Sequence, residues 1–160
     1  MFKFITTLLI LASLTGCDKA ATVRKAEEKA SELRIYNRNI LRATNDAREA
    51  TVIRPELHRA VITAGEKFSL ALDRVDGAIK IVKAAPDRGT REAGLDYVQR
   101  LIDSDVFIAF ADLVDAAVGF PPNVKAKIDE AIAAIKLIFA AIRSLFADSG
   151  RHVLGRLEYV

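Results

Sequence analysis

Two histidines, one cysteine and one methionine are the only imidazole, thiol and thioether side chains in 160 residues, so the chemistry open to this chain is narrow. A haem lodged between helices needs axial ligands such as His or Met. His58 lies on a helical stretch and His152 in a tail without helical period, and no Cys-x-x-Cys-His run exists for covalent attachment. A di-iron bundle needs Glu-x-x-His on two helices; Glu56-Leu57-His58 has the wrong spacing. Hydrolysis by a nucleophile needs an oriented base beside it. Ser31, Ser69, Ser104, Ser144 and Ser149 stand in helical or capping contexts, without the glycines of a nucleophile elbow. From these residues no cofactor, no metal site and no catalytic constellation are expected, and the chain reads as a non-enzyme.

Charged and apolar patterns offer binding instead. Arg34, Arg38 and Arg42 recur every four residues, which places them on one helix face. Such a stripe is either a solvated face or a contact for anionic headgroups, worth on the order of 1 kcal/mol per basic residue near the surface. Asp105 and Asp112 share a face of a later helix, and partners on a neighbouring helix are the expected reason. In the last apolar segment Ala133, Leu137, Ala140 and Ser144 extend small or apolar character beyond one buried stripe. Leu137 and Ala140 are therefore candidate partner contacts, unless the C-terminal residues cover them.

The first seventeen residues, MFKFITTLLILASLTGC, join one lysine, an apolar run from Phe4 to Leu14 and small residues before a cysteine. This is the n-region, h-region and cleavage site of a secretory signal, and the run is shorter than the roughly 18 residues of a spanning helix. Leu14-Thr15-Gly16-Cys17 resembles the lipobox of bacterial lipoproteins. The resemblance implies cleavage before Cys17, acylation of its sulfur by a lipid such as palmitate, and a mature chain anchored in a bilayer and facing periplasm or exterior. Asp18 resembles the inner-membrane retention pattern of enteric lipoproteins. Acylation consumes the only thiol, so no disulfide is expected.

The elements that would carry these side chains follow from periodicity. Half of the residues are apolar, while eight glycines, four prolines and no tryptophan argue against a turn-rich β chain. Residues 18–23 read as an extended tether of at most ~20 Å. A first helix over 24–50 has Ala26, Ala30, Leu33, Ile40 and Ala47 on its seam, with Asn37 and Thr44 at the remaining seam positions. Pro55 opens a second helix ending near residue 84. Thr90 can cap a third helix reaching about Val118, with Phe107, Phe110, Val114 and Val118 widening its apolar face. Gly119-Phe120-Pro121-Pro122-Asn123 forbids helix, and a fourth helix runs over 123–147 with Gly150 as its C-cap.

Four segments joined by short connections predict an all-α fold, an antiparallel up-down-up-down four-helix bundle after an N-terminal signal peptide. The expected divisions are signal peptide 1–16, lipidated tether 17–23, bundle 24–150 and C-terminal tail 151–160. The formal charge of +3 includes Lys3, lost on cleavage, and its even spread excludes a nucleic-acid partner. The expected partners are the bilayer, through acylated Cys17, and an envelope protein, with a homo-oligomer left open. The expected function is a non-catalytic interaction module. The alternative is a carrier of an apolar small molecule or lipid, held between helices three and four by Phe107, Phe110 and Phe139.

Overall fold

The computed structural model describes the backbone from Phe2 to Leu154 and the side chains of residues 19–147. It is an all-α four-helix bundle. Helix α1 spans Phe2–Glu49 and α2 spans Pro55–Ala84. The third rod is composite: α3 (Arg88–Leu101), a π-helical turn (Ile102–Val106), α4 (Phe107–Ala116) and a closing 3-10 turn (Ala117–Gly119). Helix α5 spans Pro122–Leu154.

The heptad seam of α1 is buried as its spacing predicts. Ala26, Ala30, Leu33, Ile40 and Ala47 are all inside, and so are the two polar seam residues. Thr44 Oγ1 donates to the Ile40 carbonyl, 2.8 Å away and one turn back. Asn37 Nδ2 donates to the Gly65 carbonyl and to Ser69 Oγ on α2, both at 2.8 Å. The two helices are close at this level. A Cβ on Gly65 would lie 2.4 Å from Leu41 Cδ2 and 3.2 Å from Asn37 Oδ1, so a larger residue there makes the Leu41 side chain shift.

Cross-helix pairs show the direction of packing. Between α1 and α2 the partners are Glu27 with Lys83, Arg34 with Asp73 and Asp76, and Asn45 with His58, so numbers rise on one helix as they fall on the other. Between α2 and the third rod Arg74 meets Asp105, and Lys67 meets Asp112.

Several local expectations change. Residues 19–23 are not extended: α1 continues through them, and Val23 is buried in the core. Val23 falls in register with Ala26 and Ala30, so continuing the helix through these residues buries it on the same seam. Asp87, not Thr90, caps the third rod; its carboxylate accepts from Thr90 N at 2.8 Å and from Thr90 Oγ1 at 2.7 Å. The π-helical turn holds one residue beyond a regular turn and keeps Ile102 and Val106 both buried. Gly150 does not end the last helix, whose backbone runs on to Leu154. Residues 155–160 of the expected tail lie outside the described residues, as does the side chain of Cys17.

At the α1–α2 corner Thr51 has φ 56°. Val52 N bonds to the Ala47 carbonyl and Thr51 N to the Arg48 carbonyl, the double bond pattern of a Schellman ending. Threonine here occupies the left-handed position where glycine is the unstrained choice.

Candidate functional site

The four rods are not evenly spaced. Helix α1 packs closely on both α2 and α5, and α2 packs on the third rod, whereas the backbones of α4 and α5 stand further apart. Residue size accounts for this. At the α1–α2 seam Gly65 lies opposite Asn37 and Leu41, which lets the axes approach, while phenylalanines fill the α4–α5 seam.

Four rings form a relay across the molecule. Phe68 on α2 lies 5.8 Å from Phe110, Phe110 lies 5.4 Å from Phe139 on α5, and Phe139 meets the edge of Phe107 at 5.7 Å and 78°. These separations suit tilted and edge-to-face aromatic contacts. Phe68, Phe110 and Phe139 are buried, but Phe107 is 40% exposed. The Arg143 guanidinium lies 5.1 Å above the Phe107 ring and its Nε is 3.5 Å from the Asp103 carboxylate, a cation–π contact and an ion pair that together hold the arginine over the aromatic edge.

Beside this relay lies a cavity of about 430 Å³, open to solvent and within the range of small-molecule sites. Phe107, Phe110, Val114 and Phe139 form its apolar wall; Lys136, Arg143 and Asp115 bring charge to its margin. The structure thus brings together the three phenylalanines named for a pocket between helices three and four. Ala140 is exposed and lines the same cavity. Leu137 is 73% exposed, the most exposed of the large apolar side chains described. Neither residue is covered by any described part of the chain.

The arginine row does not stay together. Arg34 is pulled across to α2, with Nη2 at 2.7 Å from Asp73 and 2.9 Å from Asp76, and only 21% of its side chain remains exposed. Arg38 is exposed. Arg42 faces a second cavity, about 440 Å³, between the end of α1 and the start of α5, beside Asp46 and Lys127. Asp105 and Asp112 have the cross-helix partners already given, Arg74 at 2.9 Å and Lys67 at 3.7 Å.

Among the described residues no group of three His, Cys, Asp or Glu could hold a metal ion, and no helix is long and apolar enough to cross a membrane. His58 Nε2 is 2.8 Å from Asn45 Oδ1; His152 lies outside the described side chains. Ser69 accepts from Asn37, and Ser104 Oγ donates to the Arg100 carbonyl at 2.6 Å, so both hydroxyls serve helix structure. Two carboxyls are held below their ordinary range. For Asp87 the cause is the hydrogen bond from the Thr90 backbone and then that from its hydroxyl. For Glu92 it is the hydrogen bond from Lys19, then that from Arg88. Both lie at the same end of the bundle as Lys19. Nothing in sequence periodicity indicated the Lys19–Glu92 contact, since it joins helices one and three.

Comparison with protein-family models, with curated proteins and with solved structures finds no match for this chain.

Proposed function

We propose that this protein is a non-catalytic binding module, anchored to a bacterial membrane by acylated Cys17 and facing periplasm or exterior, with its binding face on α4 and α5. The observation that supports the binding face is the open aromatic seam, which exposed Ala140 lines, together with exposed Leu137 on the outer side of α5. A concave apolar wall is the kind of pocket that receives a partner's anchoring side chain at an interface. The occupant favoured by this reading is another envelope protein. The anchor is supported by Leu14-Thr15-Gly16-Cys17 and by the signal-like run before it.

A photo-crosslinking residue placed at 140 in intact cells, with Leu137 native or replaced, tests the face. One discrete adduct that disappears in a Leu137→Glu variant is the expected result, and unchanged adducts in that variant refute it. Labelled palmitate entering wild type but not Cys17→Ser tests the anchor separately.

A second reading has its own observation: the cavity volume and its phenylalanine wall suit an apolar small molecule or a lipid chain as well as a protein side chain. Solvent extraction of protein purified from its native membrane distinguishes the two. A stoichiometric small molecule, lost when Ala140→Trp fills the cavity, favours the carrier.

A further inference from the structure

The position of the anchor relative to the bundle determines which part of the molecule meets the membrane. We infer that the bundle stands end-on, with the α2–α3 turn, Ala85–Asp87, and the first turn of α3 against the lipid headgroups. This inference rests on the proposed acylation of Cys17.

Lys19 bonds to Glu92 on α3, Val23 is buried in the core, and Glu27 pairs with Lys83 on α2 at 2.5 Å. Residue 19 is thereby tied to the end of the bundle where α2 turns into α3. Cys17 is two residues away, and two residues span at most ~7 Å even when extended. The acyl chains must therefore enter the bilayer within about one headgroup layer, ~6 Å deep, of that end. An extended tether of up to ~20 Å would have let the body turn more freely than this. The helix that runs through residues 19–23 replaces it.

A flat stance would need a face of one sign along α1. The arginine row cannot supply it. Arg34 is neutralised by Asp73 and Asp76, Arg24 pairs with Glu28, and the other exposed charges of α1, Lys25, Arg38 and Arg42 against Asp46 and Glu49, nearly balance. At about 1 kcal/mol per net basic charge near the surface, such a mixed face has little hold on anionic lipid. In the end-on stance residue 39 is twenty helical residues from Lys19, ~30 Å away, well beyond a Debye length of ~8 Å. Arg38, Arg42 and the Phe107–Phe139 seam then all stand clear of the headgroups, so the binding face receives its occupant from the aqueous side.

Acylation of the single native cysteine makes the test clean, because introduced cysteines label alone. Full-length acylated protein carrying Pro86→Cys, Asn39→Cys or Val118→Cys is nitroxide-labelled and reconstituted in phosphatidylethanolamine/phosphatidylglycerol vesicles. Accessibility to a water-soluble nickel chelate and to oxygen is then read. Loss of nickel accessibility at 86 alone, relative to detergent-solubilised protein, is the expected result. Equal protection at 39 and 86 overturns the end-on stance in favour of a flat one, and protection at 118 overturns it in favour of the reverse end. If wild type incorporates no labelled palmitate, the anchor itself falls and this inference with it, an outcome distinct from acylated protein lying in the wrong orientation.

Discussion

Replacing Gly65 by alanine tests how closely α1 and α2 approach. In an ordinary helix the change stabilises by about 1 kcal/mol, because alanine is the better helix former. Here the new Cβ would stand 2.4 Å from Leu41 Cδ2 and 3.2 Å from Asn37 Oδ1. Leu41 is half-buried and its terminal methyl can turn aside, so the overpacking cost lies at the low end of the range, about 1 kcal/mol. Pushing Asn37 off the Gly65 carbonyl adds about 1 kcal/mol for a weakened buried hydrogen bond. The opposing contributions leave a net destabilisation of about 1 kcal/mol. With a slope near 2 kcal/mol per molar urea, the unfolding midpoint falls by about 0.5 M. The assay is urea denaturation of the mature chain followed by far-UV circular dichroism. Truncating Leu41 removes the clashing atoms, so Gly65→Ala should cost less, or stabilise, in a Leu41→Ala background. A double-mutant cycle then shows coupling above the ~0.5 kcal/mol expected of independent sites. Additive behaviour, or stabilisation by Gly65→Ala alone, refutes the close approach.

Three further outcomes can be checked with the same denaturation assay. Phe139→Ala removes a buried ring touching both Phe107 and Phe110 and should cost about 3–5 kcal/mol, against about 1 kcal/mol for the partly exposed Phe107. Thr51→Gly relieves a left-handed residue with φ 56° and loses only an exposed hydroxyl bond to the Ala50 carbonyl, so it should stabilise by about 1 kcal/mol. Asp87 and Glu92 have folded pKa values below their ordinary ones, so each contributes stability above its unfolded pKa, near 4. That contribution is lost as pH falls through the folded value. Unfolding midpoints should therefore be level from neutral to about pH 5 and decline below it, and Asp87→Asn, which keeps the cap without titrating, should flatten the decline.

The helices were legible because burial in a bundle imposes a period on the sequence. Pro55 opens α2 and Ala84 closes it, as the spacing from Leu57 to Val82 predicts, and Asn37 and Thr44 lie in the seam where the heptad puts them. The phenylalanines of helices three and four were legible as a wide apolar face. The helical state of residues 19–23 was not, because DKAATV carries only one large apolar residue and its burial depends on partners on other helices.

What the sequence alone determined is the list of segments, their breaks and the face each one buries, because those depend on neighbours three or four residues away. It also determined the scarcity of chemistry-bearing side chains and the lipobox-like run. Only the tertiary structure decided which seams are tight and which is open. Side-chain size at a contact sets interhelical distance, and a contact needs both helices: Gly65 is an ordinary helix residue until Asn37 and Leu41 lie across from it. The same holds for charge. Arg34, Arg38 and Arg42 are equivalent along α1, but Asp73 and Asp76 on α2 lie within reach of Arg34 and leave Arg38 and Arg42 exposed.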